Sequence, residues 1–357
     1  MANNEDYLDG KFVTTNDNYN WLNEVNSQSL QQSIQNLDTA YIKFFKQKTG
    51  FPKFKSKHSN RHSYRVPQGI KIDFEGHKVF IPKIKWVNIR IDRTFDGLIK
   101  SATIKQVPSG KYFVSILVEH GLNCADKRNI SFHSSVGIDL GIKDFAILSN
   151  GEKISNPKFL RSKEKRLKVL QRRLSKKQKG SNNRNKARIK VAKFQEKITN
   201  ERNDFLNKVT TKLVKENQFD TFCLETLNIT GMMKNHRLAK SIAEASWYQF
   251  ITKLEYKCQW YGKNIVYIGQ FEPSTKLCSC GYKNNDLTLA DREWTCPVCG
   301  VHHDRDILAA NNIKRMALCD ANINSFSGSG GSGGLVDSSA LVEGMKQEEL
   351  IKLNDIL

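Results

Sequence analysis

The chain has 357 residues, 57 of them Lys or Arg against 36 Asp or Glu, for a formal charge of +21, and 39% are hydrophobic. Such a length can bury a sizeable core in two or three domains, and no run approaches the ~18 apolar residues of a membrane span, which excludes a membrane-spanning reading. A field of this sign recruits polyanions, nucleic acid before an anionic membrane surface; the alternative is a charge that serves solubility alone.

Residues 1–20 are polar and unpatterned. Met1-Ala-Asn-Asn-Glu-Asp is neither apolar nor basic, so no signal peptide is predicted, and the eight cysteines are expected to be reduced in a cytoplasmic setting. Apolar residues at Trp21-Leu22, Val25, Leu30, Ile34, Leu37, Ala40-Tyr41 and Phe44-Phe45 predict a helix that stops near Gly50. The next stretch holds Lys53, Lys55, Lys57, Arg61 and Arg65 with no acid, interleaved with Phe51, Phe54 and Tyr64. Cations that neutralise phosphates beside aromatics that stack on bases suit single strands and RNA. A solvated basic loop fits this composition equally well. Residues 66–120 change period: KVFIPKIKWVNIRI, GLIKSATIKQV and KYFVSILVEH predict a sheet or small barrel, with Pro108–Lys111 as a turn. Residues 121–134 read as a linker.

Residues 134–154 predict two strands in a hairpin, with Asp139 inside the first between Gly137 and Gly141. A charge in an apolar strand costs several kcal/mol unless it is paired or holds a metal. Flanking glycines let a ligand approach the backbone. A strand-edge aspartate is the plainer alternative. Residues 158–197 carry 17 Lys or Arg against Glu164 and Glu196 alone. Apolar stripes on either side of Gly180-Ser-Asn-Asn183 predict a helical hairpin over 158–217 with basic outer faces, including Arg172, Arg173, Lys176, Lys177 and Lys179. Solvated faces usually mix both signs, so this one points to phosphate. A buried-type strand then ends in Glu225, an amphipathic helix covers 241–262, and 264–269 reads as a further strand.

Cys278 and Cys280, then Cys296 and Cys299, face each other across a polar loop, each pair closed by a glycine. Two tight turns giving two thiolates each suit tetrahedral Zn²⁺. The first pair is C-x-C, one residue short of the usual knuckle; reduced buried cysteines without metal are the alternative, and His302 or His303 could substitute as a ligand. His303-Asp304-Arg305-Asp306 follows, opening a helix. Asp139 mid-strand, Glu225 at a strand end and Asp306 at a helix start are the arrangement of an RNase H-like nuclease. There two Mg²⁺ ions bound by carboxylates activate water and stabilise the leaving 3′ oxygen.

GIDLG, LETLNITGM, the cysteine ribbon and DRD-x-x-AANNI, in that order, closely resemble the OrfB/TnpB family of insertion-sequence proteins, related to type V CRISPR effectors. The resemblance spans about residues 21–318. It implies an α/β protein in four parts. Residues 1–130 would be a helical segment with a β-barrel-like, wedge-type nucleic-acid-binding domain; 131–270 and 300–318 an RNase H-like (RuvC-type) nuclease domain; 271–303 an inserted zinc ribbon; and 319–357 a Gly/Ser-rich linker and tail. It implies catalytic, magnesium-binding Asp139, Glu225 and Asp306, zinc ligands Cys278, Cys280, Cys296 and Cys299, and Asp304 as a helix cap. It further implies a DNA endonuclease guided by a transposon-encoded RNA, bacterial or archaeal and nucleoid-associated. Three departures stand out: the short C-x-C pair, Leu308 where the family has Asn, and nothing before Trp21 resembling the family's first basic strand and aromatic helix. The last predicts a truncated chain with impaired guide binding. The competing reading is therefore a member that binds nucleic acid, as a remnant or guided repressor, without cutting.

Overall fold

The computed structural model describes residues 7–8, 11–12, 22–47, 49–53, 62–121, 123–270, 272–288 and 291–321. These fall into two compact units, one up to residue 121 together with Arg188–Lys193, the other formed by 123–187 and 194–321.

In the first unit β1 (Tyr7–Leu8) pairs antiparallel with β2 (Lys11–Phe12), so the opening segment is not patternless. The predicted helix is α1 (Ser27–Gln47), begun by the Asn26 side chain, which accepts from Gln28 N at 2.9 Å. The strands that follow are β3 (His62–Val66), β4 (Lys71–Asp73), β5 (Lys78–Ile81), β6 (Lys85–Asn88), β7 (Leu98–Gln106) and β8 (Tyr112–Glu119). Among the described residues they make two three-stranded antiparallel sheets, β3-β7-β8 and β4-β5-β6, where the sequence suggested a sheet or small barrel. One core is common to both: Val66, Val79, Ile81, Ala102, Ile104, Val114 and Ile116 alternate inward along their strands. Lys53 is exposed; Lys55 and Lys57 lie outside the described residues.

The second unit is built on a five-stranded sheet. β9 (Ser135–Leu140), β10 (Asp144–Leu148) and β11 (Lys153–Ser155) form an antiparallel meander, one strand more than the predicted hairpin. The basic hairpin is α2 (Phe159–Ser175) and α3 (Asn182–Thr211), which runs on into a wide π turn at Lys212–Glu216. Lys158 before α2 has a left-handed backbone (φ 47°) and gives no side-chain cap. Glu244 replaces it: its Oε1 accepts from Leu160 N at 2.7 Å and Arg161 N at 3.0 Å. Carboxylate at a helix N-terminus satisfies orphan amides and opposes the dipole. Then come β12 (Thr221–Glu225), α4 (Ile229–Met232), α5 (Ala239–Ala245), α6 (Trp247–Trp260) and β13 (Asn264–Ile268). The predicted single helix over 241–262 is thus two, broken at Ser246, whose φ is 55°. β14 (Glu293–Thr295), β15 (His302–Asp304) and α7 (Arg305–Ala321) complete the unit. No helix among the described residues is long and apolar enough to cross a membrane.

The sheet order is β11-β10-β9-β12-β13, with β9, β12 and β13 parallel. Val136, Ile138, Phe222 and Leu224 point to one face, where they pack with Leu206, Leu213, Phe250 and Leu254. The intervening residues point to the other face, where Cys223 and Ile268 meet Ile313 and Ala317 of α7. Period-two alternation on central strands buried on both faces makes each face a separate interface.

Gly137 decides how closely α7 lies. A Cβ there would collide with the Ala310 carbonyl oxygen and sit 2.9 Å from Lys314 N. Gly137→Ala should therefore cost about 3 kcal/mol, the upper end of overpacking, read as a lower denaturant midpoint. An unchanged midpoint would mean that strand and helix do not touch there.

Candidate active site

Asp139 follows Gly137 by two residues on β9, so both side-chain directions lie on the α7 face. Leu224 of β12 is in register with Ile138, which puts the next residue, Glu225, beside Asp139 on that same face. Two strand residues advance about 6.6 Å and four helix residues about 6 Å. With Ala310 over Gly137, α7 running against β9 sets Asp306 over Asp139. The three carboxylates proposed from the sequence, 86 and 81 residues apart along the chain, are brought together by two parallel strands and one helix.

Their electrostatics show the proximity. Burial, then the negative charges of Asp306 and Glu225, push the Asp139 carboxyl from 3.8 up to about 7, against the opposing pull of Arg305 and the Leu140 amide. Burial also raises Glu225. Asp306 carries the counter-charges: Arg292 Nη1 donates to its Oδ2 at 3.4 Å, and Arg305 Nη2 and Nε donate to Oδ1 at 3.2 and 3.3 Å. Arg305 N also donates to Arg292 O at 2.8 Å, so the strand before the ribbon's second half delivers one arginine onto the other's neighbour. The sequence reasoning passed over Arg292, because a lone arginine in a polar loop carries no periodic signal. Its role exists only once the ribbon folds back.

Asp304 caps α7, as expected: its Oδ1 accepts from Asp306 N at 3.0 Å and Ile307 N at 3.1 Å. Lys153 of β11, also unmarked by the sequence, holds the other oxygen at 2.6 Å. Asn312 ties the far side of α7 to the ribbon through Ser274 O at 2.7 Å and Leu277 O at 2.6 Å.

The sulfurs of Cys278, Cys280, Cys296 and Cys299 all lie within 4.8 Å of one another. Cys278 and Cys299 are 3.5 Å apart, Cys280 and Cys296 3.6 Å. The short C-x-C turn works because Gly281 takes φ 93°, as Gly300 takes φ 72° after the second pair. Burial opposes ionisation of Cys278, but the Cys280 amide, His303 and neighbouring thiols outweigh it and hold the thiol at about 5. A compact set of thiols, one of them a thiolate at neutral pH, fits a soft divalent cation. Among the described residues the three carboxylates are spread wider than this set, Asp306 being turned to its arginines. A carboxyl raised to about 7 by its burial and then by two neighbouring acids fits a site for a hard divalent cation. Arg172, Arg173, Lys176, Lys177 and Lys179 are exposed at the tip of the hairpin, and no carboxylate among the described residues pairs with them.

Asp139 holds its proton more tightly in the folded chain than in the unfolded one. Its contribution is complete below about pH 4 and is lost as pH rises toward about 7. In metal-free buffer the denaturation midpoint of the wild type should therefore fall relative to Asp139→Asn over that interval, leaving the Asn variant the more stable above it. Parallel midpoints would show that the carboxylates do not interact.

Residues 118–236 match the family model described as "Probable transposase" (OrfB_IS605), and 247–313 match the Cas12f1-like TNB domain. A "Putative RNA-guided DNA endonuclease" of Streptomyces pristinaespiralis is 40% identical over 301 residues, 84% of this chain and 73% of that protein. The Escherichia coli K12 protein named "Putative RNA-guided DNA endonuclease InsQ" is 32% identical over 308 residues, 82% of this chain and 75% of that one. The fold resembles that of Cas12f1 solved with sgRNA and target DNA, at a TM-score of 0.50 and 16% identity over 80% of this chain and 70% of that one. With relatives this similar along most of their length, the motifs read from the sequence are those of a lineage, and the chain belongs to the OrfB/TnpB family of insertion-sequence proteins.

Proposed function

We propose that the chain is a TnpB-type RNA-guided DNA endonuclease with an RNase H-like (RuvC-type) catalytic domain and an inserted zinc ribbon. The observation that carries this reading is the convergence of Asp139, Glu225 and Asp306 on one face of the sheet, with the Asp139 carboxyl pushed up to about 7. A meander of three antiparallel strands followed by two parallel ones, in the order β11-β10-β9-β12-β13, supports the RNase H-like assignment. The relatives' names, putative RNA-guided DNA endonucleases, support the activity with RNA and DNA as partners. The guide in this reading is encoded by the transposon, and the work is done on the bacterial or archaeal nucleoid.

In this reading Asp139, whose backbone both neighbouring strands and α7 fix, would be the central Mg²⁺ ligand. Glu225, at its strand's end, and Asp306, in the first turn of α7, would complete the set that holds the metal. Two Mg²⁺ ions there would supply the activation of water and the neutralisation of the leaving 3′ oxygen. Arg292 and Arg305 orient the Asp306 carboxylate and balance its charge. Cys278, Cys280, Cys296 and Cys299 hold one structural Zn²⁺. Lys53, Lys55 and Lys57, with the exposed cations of the helical hairpin, take phosphates of RNA and DNA.

Cleavage of a matched target with guide RNA and Mg²⁺ tests the assignment. Asp139→Ala should fall to the background rate while RNA and DNA binding stay within a few-fold, since clustered carboxylates without metal repel phosphate. Asp304→Ala should cut slowly, as it lowers only the cap's contribution of about 1 kcal/mol. Binding without cleavage by the wild type would assign the chain to the non-cutting binder. For the hairpin, neutralising Lys176, Lys177 and Lys179 together should flatten the slope of log K against log salt by roughly 0.9 for each lost contact on duplex DNA. An unchanged slope would make the hairpin a solvated face.

A further inference from the structure

Besides Ser279, whose hydroxyl is 3.9 Å from the Cys278 sulfur, an imidazole reaches the buried side of the cysteine cluster. His303 lies on β15 directly opposite Trp294 on β14, its ring 4.9 Å from the indole, and is 9% exposed. Its Nε2 is 3.1 Å from the sulfur of Cys278, which is fully buried. The backbone amides of the two buried cysteines are committed elsewhere, Cys278 N to Tyr282 O at 2.8 Å and Cys296 N to Val301 O at 2.9 Å. His303 is not a fifth ligand, since the mutually close set is the four sulfurs. Four thiolates around a dication leave two negative charges in excess, half of them on sulfurs with little access to water. Such charge is tolerated when N–H donors point at the sulfur, and partners of this kind orient a ligand and retain its metal.

We propose that His303 donates its Nε2–H to the Cys278 thiolate and thereby sets how firmly this chain keeps zinc. The proposal rests on the zinc reading above. His303 is a positioning residue, acting on the metal through Cys278. Its location adds a consequence: the next residue is Asp304, the cap of the helix that presents Asp306. One side chain thus links the metal-bearing turn to the start of that helix.

The full-length protein, purified with zinc, is challenged with a chromophoric chelator while circular dichroism follows the fold. Three variants separate donor from shape. His303→Phe keeps an aromatic ring against Trp294 and removes the N–H, and zinc should be lost about 10- to 100-fold more readily. His303→Gln replaces the ring by an amide donor and should return retention to within a few-fold of wild type. His302→Ala changes the exposed neighbour, which bonds Thr295 Oγ1 at 3.1 Å, and should behave as wild type. Either of two results overturns the donor role: Phe retaining zinc as well as wild type does, which would make stacking what matters, or Gln losing it as readily as Phe, which would show that an N–H donor at 303 does not retain the metal. A wild type that never carries zinc would overturn the zinc reading itself, and is seen before any variant is compared.

Discussion

The unit that carries the chemistry depends on backbone against backbone, where α7 crosses β9 at Gly137 with no side chain between them. Helices ordinarily stand off a sheet by the depth of the intervening side chains. Removing one Cβ lowers α7 until the first turn of the helix is level with a strand residue. That brings the negative charge of Asp306 close enough to raise the Asp139 carboxyl. Cys223, Ile268, Ile313 and Ala317 form a buried apolar cluster between the sheet and α7 beyond the Gly137 contact. A larger residue at 137 would do more than cost packing energy; it would draw one carboxylate away from the other two.

Closeness creates a charge problem. Three acids crowd one patch of a chain whose formal charge is +21, and burial makes the charges of Asp139 and Glu225 harder to hold. Two responses are visible. Asp139 shifts toward its neutral form, and Asp306 borrows guanidinium from Arg292 and Arg305. Both lower the repulsion among the three carboxylates. Lys153 and the amides at the start of α7 keep Asp304 out of this competition by engaging both of its oxygens.

The sequence marked the elements whose signal is local. An apolar run interrupted by Asp139, another ended by Glu225, and a helix opened by Asp304-Arg305-Asp306 are legible because each violates its own surroundings. The cysteine turns are legible by spacing, even with one residue missing. Arg292, Lys153 and Asn312 were not, since each acts on a partner distant in sequence and none breaks a pattern. The same reason hid β11: Lys153–Ser155 is three residues long and becomes a strand only by pairing with β10. The break at Ser246 was missed because the apolar stripe runs through it; the stripe reports the buried face, not the continuity of the helix. The division into two small sheets at the start was not legible, because their inward residues share a core and alternation records burial without recording which strands are bonded.

Leu308, the departure from the family pattern within α7, takes its meaning from helical geometry. At about 100° per residue it lies roughly opposite Asp306 on α7. Ala310, Ile313 and Ala317 continue the Asp306 side onto the sheet, whereas Leu308 joins Trp294, Cys278 and Cys296, and Asn312 one turn on binds the first cysteine loop. The helix is therefore wedged, sheet on one side and ribbon on the other. An amide at 308 would face the cysteine cluster, not the carboxylates, so the leucine alters how the ribbon seats while leaving the surroundings of Asp306 as they are. The ribbon's seat in turn fixes the angle of α7, through Asp304 at its cap and the Arg305 N to Arg292 O bond at its first turn. The cysteine cluster and the carboxylate cluster are thus two ends of one rigid piece, and a change made at either is felt as a tilt of the same helix.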